Sequence, residues 1–187
     1  MPSLALPSSK KNYNGIGKFE AGRQPVLPRH AEGRRWQRER RRSMLEYLKR
    51  LEEQVSTWPN VSVHPHRFGG REFRFGGAEV GHLHIGGAVD IPFPRSLRDA
   101  LLAEGLAEEH PWVPNSGWVT FRIRGEGDLK HALWLTRLSY LRFFLKTPPD
   151  PRRLFEQEVE QLHLTPRFKA LLERFVPSMP NMARSHG

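Results

Sequence analysis

The chain has 187 residues, 37% of them hydrophobic, and 30 Lys+Arg against 20 Asp+Glu give it a formal net charge of +10. That length suits one domain with a modest core, and the absence of cysteine excludes disulfide scaffolds, thiolate metal sites and cysteine nucleophiles. No run approaches the roughly 18 consecutive apolar residues of a membrane span, and the proline-broken opening Met1 to Pro7 does not read as a signal peptide, so a soluble, cytoplasmic protein without a transmembrane segment is expected.

The charge is unevenly placed. Residues 1–50 carry 13 Lys+Arg against 4 acids, residues 51–146 carry 11 of each, and residues 147–187 carry 6 against 5. A basic arm is thus joined to a neutral body. Residues 1–33 are rich in Pro, Gly, Ser and Asn, bury too little apolar surface to order themselves, and are expected to be disordered. From Arg34 onward Met44, Leu48, Leu51 and Val55 recur at spacings of four, three and four, the pattern of an amphipathic helix docked on the body. The arginines Arg34, Arg35, Arg38, Arg40, Arg41 and Arg42 at its start read as a solvated helix end or as a weak contact for nucleic-acid phosphates or another acidic surface.

Short extended segments follow at 61–64, 71–75 and 78–85, separated by the pairs Gly69-Gly70, Gly76-Gly77 and Gly86-Gly87 that tight hairpin turns favour. Val89-Asp90-Ile91 continues in extended form until Pro92 and Pro94. A helix is predicted from Arg95, with Leu97, Leu101 and Leu102 on one face and Gly105 as its stop. Residues 110–117 have loop chemistry, and 118–124 alternate with period two, the clearest strand in the chain. Asp128 opens the clearest helix, which runs through Leu129, Leu135, Leu138 and Leu145. Pro148-Pro149-Asp150-Pro151 interrupts the chain before a helix at about 152–163, and Thr165-Pro166 caps a last one ending near Val176. The expected fold class is α+β: an antiparallel sheet of about four to five strands with helices packed on one side. The domain would span 34–146, with a helical extension over 147–176 and a frayed tail over 177–187.

Six of nine histidines fall between residues 61 and 131. His82 and His84, at i and i+2 of a strand, project from one face, with Glu79 just before them. Two imidazoles beside a carboxylate suit a metal, a proton-transfer pair in an organic-ligand pocket, or an ordinary surface. A metal would require a third ligand from His110, Glu79 or Asp90, and no metal is assigned. His64 and His66 repeat the spacing, but Pro65 between them weakens the strand argument. No glycine run has the setting of a nucleotide loop, and Ser116-Gly117 lacks the flanking residues of a serine-hydrolase elbow.

The ordered blocks Glu79-Val80-Gly81-His82-Leu83-His84, Asp90 to Pro94, Arg98-Asp99-Ala100 with Gly105, Glu109-His110-Pro111, Ser116 to Val119, and Asp128 to Tyr140 resemble the luciferase-like domain family, which includes the fungal luciferases and many uncharacterised bacterial proteins. The resemblance covers roughly residues 60–145. It implies O2-dependent oxidation of a hydroxylated pyrone, with O2 as co-substrate and neither metal nor flavin as cofactor. Glu79, His82, His84, Asp99, Glu109 and His110 fall on the family's pattern. Gly86 to Asp90 departs from the Ser- and His-richer fungal blocks, and the basic arm stands where those enzymes carry an apolar segment.

The resulting expectation is a histidine-lined pocket that binds, and oxidises, a small hydroxylated aromatic or pyrone-like compound as a cofactor-independent oxygenase. Its catalytic set is His82, His84, His110 and Glu79, with His82 or His84 as general base and His110 orienting the substrate. Asp90, Trp112, Trp118 and Arg122 are the substrate-binding candidates, the tryptophans as an apolar wall that excludes water and Arg122 for an anionic group. The alternative is a non-enzymatic nucleic-acid or partner-binding protein that acts through its basic arm.

Overall fold

The computed structural model describes residues 30–177, so the expectations of disorder over 1–29 and fraying over 178–187 lie outside the described residues. Helix α1 spans His30–Ser56. It begins four residues before Arg34 and takes all six arginines of the basic run into regular helix. Strands β1 (Val61–Pro65), β2 (Arg71–Phe75), β3 (Ala78–Leu83) and β4 (Ala88–Pro92) follow as antiparallel neighbours. Helix α2 (Arg95–Ala103) and the two-residue strand β5 (Glu108–Glu109) precede β6 (Trp118–Arg122). Then come α3 (Glu126–Phe144), α4 (Pro151–Gln161) and α5 (Pro166–Glu173).

The sheet has six strands in the order β1-β2-β3-β4-β6-β5, antiparallel throughout. It is an α+β fold. The sixth strand is β5, whose Glu108 and Glu109 carry no apolar alternation and form an edge against Thr120 and Val119. Helix α3 starts at Glu126 rather than at Asp128, because the Asp128 carboxylate accepts the Arg124 N–H from inside the first turn (2.7 Å). Asp150 and Thr165 cap α4 and α5 by accepting from the amides of Arg153 and Phe168, and a proline opens each helix.

Both α1 and α3 pack on the sheet, and α5 packs on α2 and α3. The core under α3 is formed by Phe73, Val80, Leu83, Val89, Ile91 and Val119 from the strands, with Leu51, Val55, Leu135, Leu138 and Leu141 from the helices, all buried. At about 25 cal/mol per Å² of apolar surface removed from water, this layer is the main favourable term in folding. Among the described residues no helix is long and apolar enough to cross a membrane.

The helices cover one face of the sheet, and the opposite face carries polar groups. Cross-strand pairing sets His64 opposite Glu72, Glu72 opposite His82, His82 opposite Asp90, Asp90 opposite Thr120 and Thr120 opposite Glu108. One row of polar side chains therefore crosses all six strands.

Candidate functional site

The centre of the polar row is Asp90 on β4, 4% exposed. Its Oδ1 accepts the Thr120 hydroxyl at 2.5 Å from β6. Three imidazoles converge on its Oδ2: His84 Nε2 at 2.9 Å, and His82 Nε2 and His110 Nε2 each at 3.4 Å. Burial alone would raise the Asp90 pKa, but hydrogen bonds from His82 and Thr120, together with His110 and His84, hold it well below the usual carboxylate range. Asp90 is therefore an anion, and an ionised carboxylate only accepts.

The three rings differ in what faces their second nitrogen. His82 Nδ1 meets Glu79 Oε1 at 2.6 Å, so both of its nitrogens face carboxylates. Burial would lower its pKa, but Asp90 and Glu79 outweigh that effect and raise it to about 9, which makes His82 a cation at neutral pH. His110 Nδ1 accepts the backbone N–H of Trp112 at 3.1 Å, which leaves its proton on Nε2, toward Asp90. His84 likewise directs an N–H from Nε2 at Asp90. With Nε2 committed to Asp90, Nδ1 is the nitrogen left to face a ligand, on a side chain 34% exposed.

Strict alternation would place Glu79 and His82 on opposite faces. The register of β2 against β3 shifts between Phe73 and Arg74, with Phe73 opposite Gly81 but Arg74 opposite Glu79. The extra residue, Val80, is fully buried in the core. This bulge brings Glu79 onto the face of His82. Gly81 beside it admits no side chain without crowding, since a Cβ there would lie 3.0 Å from the Asp90 carbonyl oxygen.

Sequence reasoning passed over His66, Glu72 and Thr120. His66, just past β1, stacks on His82 with ring centroids 3.9 Å apart and 15° between planes. Its Nδ1 lies 3.4 Å from Glu72 Oε2, and Arg74 holds the other Glu72 oxygen at 2.5 Å. The Arg74 bond, with His66 adding to it, lowers the Glu72 pKa against the effect of burial. The alternation of His64, His66 and Glu72 carried a signal, but Pro65 obscured it. His64 itself turns to Ser62 on the exposed edge.

His66, His82 and His84 each bring one ring nitrogen within 4.8 Å of the others. The count suits a metal, but the ring orientation does not. An imidazole binds through a lone pair in its own plane, and a point midway between two near-parallel rings stacked at 3.9 Å lies about 2 Å out of both planes.

The remaining candidates separate. Trp118 joins the cluster, its ring 5.4 Å from His82 and 6.2 Å from His110. Trp112 does not form a water-excluding wall: its side chain stands in solvent, 85% exposed, and only its amide reaches the site. Both Asp90 oxygens are already engaged, Oδ1 by Thr120 and Oδ2 by the histidines. Arg122 lies farther along the Thr120 face, 3.6 Å from Glu108. Asp99 and Glu109 meet at Arg98 instead of Asp90, and Glu109 also accepts the Asn115 amide, which ties the 110–117 loop to α2.

Two loops border the cluster, and each bears exposed apolar side chains. Phe68, in a short 3-10 turn next to His66, is 91% exposed at φ +55°, and Ile85 is exposed beside that turn; Trp112 and Val113 project from the other loop.

No curated protein and no solved structure matches the chain. The luciferase domain family model matches residues 77–139, a narrower span than 60–145, which leaves His66 and Glu72 outside it. Glu79, His82, His84, Asp90, His110, Trp118 and Thr120 all lie within that span, and over it the chain is similar to the luciferase domain family.

Proposed function

We propose that the Asp90-centred cluster binds a small hydroxylated aromatic or pyrone-like compound and promotes its oxidation by O2. The observation that carries this reading is the division of roles among the rings: a fixed cation at His82, an Asp90-oriented base at His84, and a rim of exposed apolar groups around them. An Asp–His pair with its free nitrogen outward is suited to proton removal near pH 7. His84 is accordingly the general base, and His82, which already holds its proton, stabilises the anion that forms.

The step balances without metal or flavin. His84 Nδ1 takes the hydroxyl proton, and the electron pair left behind is shared with the conjugated ring. A ring carbon donates that pair to O2, forming a C–O bond; the carbon is oxidised and dioxygen reduced to the peroxide level. The proton returns from His84 to the outer oxygen, giving a ring hydroperoxide. Phe68, Ile85, Trp112 and Trp118 offer apolar faces for an aromatic ligand.

The test is ligand binding and O2 uptake with a panel of hydroxylated pyrones and phenols. His84→Ala should retain binding within a few-fold and lose O2 uptake by about 10²–10⁴-fold, the usual contribution of a general base. Unchanged uptake in His84→Ala, or no binding of any panel member by the parent protein, overturns the reading.

A further inference from the structure

The first third of α1 is not accounted for by the cluster. Residues 34–43 are exposed, and the helix packs into the core only from Met44 onward, although Trp36, Glu39, Arg40 and Ser43 border a hollow with Arg124 of the body. A segment of ten residues, about 15 Å long at 1.5 Å per residue, therefore lies outside the core. At about 100° per residue, Arg34, Arg35, Arg38, Arg41 and Arg42 fall within an arc of about 120°, so five guanidinium groups form one stripe. Arg35 pairs with Glu39 at 2.9 Å; the other four have no carboxylate within ion-pair reach among the described residues. Side chains of Arg34, Arg35, Arg38 and Arg42 border a shared concavity.

We infer that this stripe is a docking surface for duplex DNA, with this segment of the helix lying in the major groove and its arginines on the phosphates. Charge complementarity is the first argument, because five clustered arginines beside a single paired acid, Glu39, leave a net positive stripe that matches the regular anions of a duplex backbone. Shape is the second: a single helix whose arginine stripe lies on the face turned away from Arg124 and the body fits the roughly 12 Å wide major groove of B-form DNA, whereas the major groove of A-form RNA is too narrow and deep to admit it. A lipid surface fits less well. Interfacial helices bury a broad apolar face, and residues 34–43 have a single large apolar side chain, Trp36, which is 57% exposed with Arg40 stacked on one face of its ring at 4.7 Å. The contacts are to backbone phosphates, so binding is independent of base sequence. The inference does not depend on the chemistry proposed for the histidine cluster.

Fluorescence anisotropy of the full chain with a mixed-sequence 20-base-pair DNA tests it. Neutralising four to five phosphates gives a slope of log affinity on log salt of about −4, a loss of roughly 250-fold between 50 and 200 mM salt. The variant Arg38→Gln/Arg41→Gln/Arg42→Gln should reduce the slope by between 2 and 3, on the order of one unit per phosphate. Replacing the same three residues by Lys should restore most of it. Circular dichroism checks that α1 persists in each variant. The inference is overturned if the parent does not bind DNA at 50 mM salt, if the Gln variant keeps the parental slope, or if vesicles rich in phosphatidylserine or a single-stranded RNA compete more strongly than the duplex.

Discussion

Phe68 combines two costs at a single residue. A non-glycine residue at positive φ carries strain of about 1–2 kcal/mol, and an aromatic ring left in water forgoes the burial that usually justifies its presence. Nothing in the free fold repays either. Phe68→Gly should therefore raise the thermal midpoint by a few degrees, about 1 kcal/mol of relieved strain, while weakening binding of a hydroxylated aromatic by about tenfold. A thermal melt and a ligand titration on the same sample measure both. Asp90 is the opposite case, since its charge is buried and repaid by four donors. Asp90→Asn should cost about 3 kcal/mol, as removal of one member of a buried charged network does, and should abolish O2 uptake because His84 loses its tautomer; urea unfolding measures the first effect. The pH dependence follows from signs. His82 is raised to about 9 in the fold, so its contribution is complete below the free imidazole value near 6.5 and is lost as pH rises through about 9. Asp90 is lowered, so its contribution is present above the free carboxylate value near 3.8 and fades as pH falls toward its folded value. Urea midpoints should form a plateau between about pH 4 and 6.5 and fall near pH 9, and His82→Asn should remove the alkaline limb.

Among the elements, α1 serves two purposes along its length. From Met44 to Val55 it is an ordinary amphipathic helix, with Leu48, Leu51 and Val55 buried and Arg50 held to Glu126 of α3 by two hydrogen bonds. Before Met44 it contributes nothing to the core and only borders Arg124 across a hollow. Its spacing made the docked part legible in the sequence, and its arginines were legible as a run, but their arrangement as a stripe on a segment outside the core required the helix to reach back to His30. The strands show the same limit. Turn glycines and alternation located β1 to β4 and β6, whereas β5 has no pattern and is a strand only because Thr120 and Val119 are there to pair with it. The pairing of His82 and His84 with Asp90 was half-visible: i,i+2 spacing puts the two imidazoles together, but no local rule brings in a carboxylate from the next strand, a ring from the 110–117 loop, or His66 from beyond Pro65.

Taken whole, the molecule is a two-layer fold with its stability in one layer and its reactive groups on the other side of the sheet. The two should respond independently to mutation. Leu135→Ala, at a fully buried position of α3, should cost about 2–5 kcal/mol, whereas His84→Ala removes one of several groups around the buried Asp90 and should cost less, about 1.5 kcal/mol. Differential scanning calorimetry of both variants distinguishes this division from one in which the histidine cluster holds the sheet together.

The extra residue in β3 also sets the parity of the chain. Upstream of Val80 the residues of β3 that face away from the helices are odd-numbered, and from His82 onward they are even-numbered. An edit that left every functional side chain in place but deleted Val80 would restore perfect alternation with Glu79 two positions before His82 and still on its face, and would remove a fully buried side chain from the core. At its spacing of three the site therefore depends on an interruption of its strand's rhythm, and a relative that shares the chemistry should carry either that spacing with a bulge between its acid and its first histidine or a spacing of two in a regular strand.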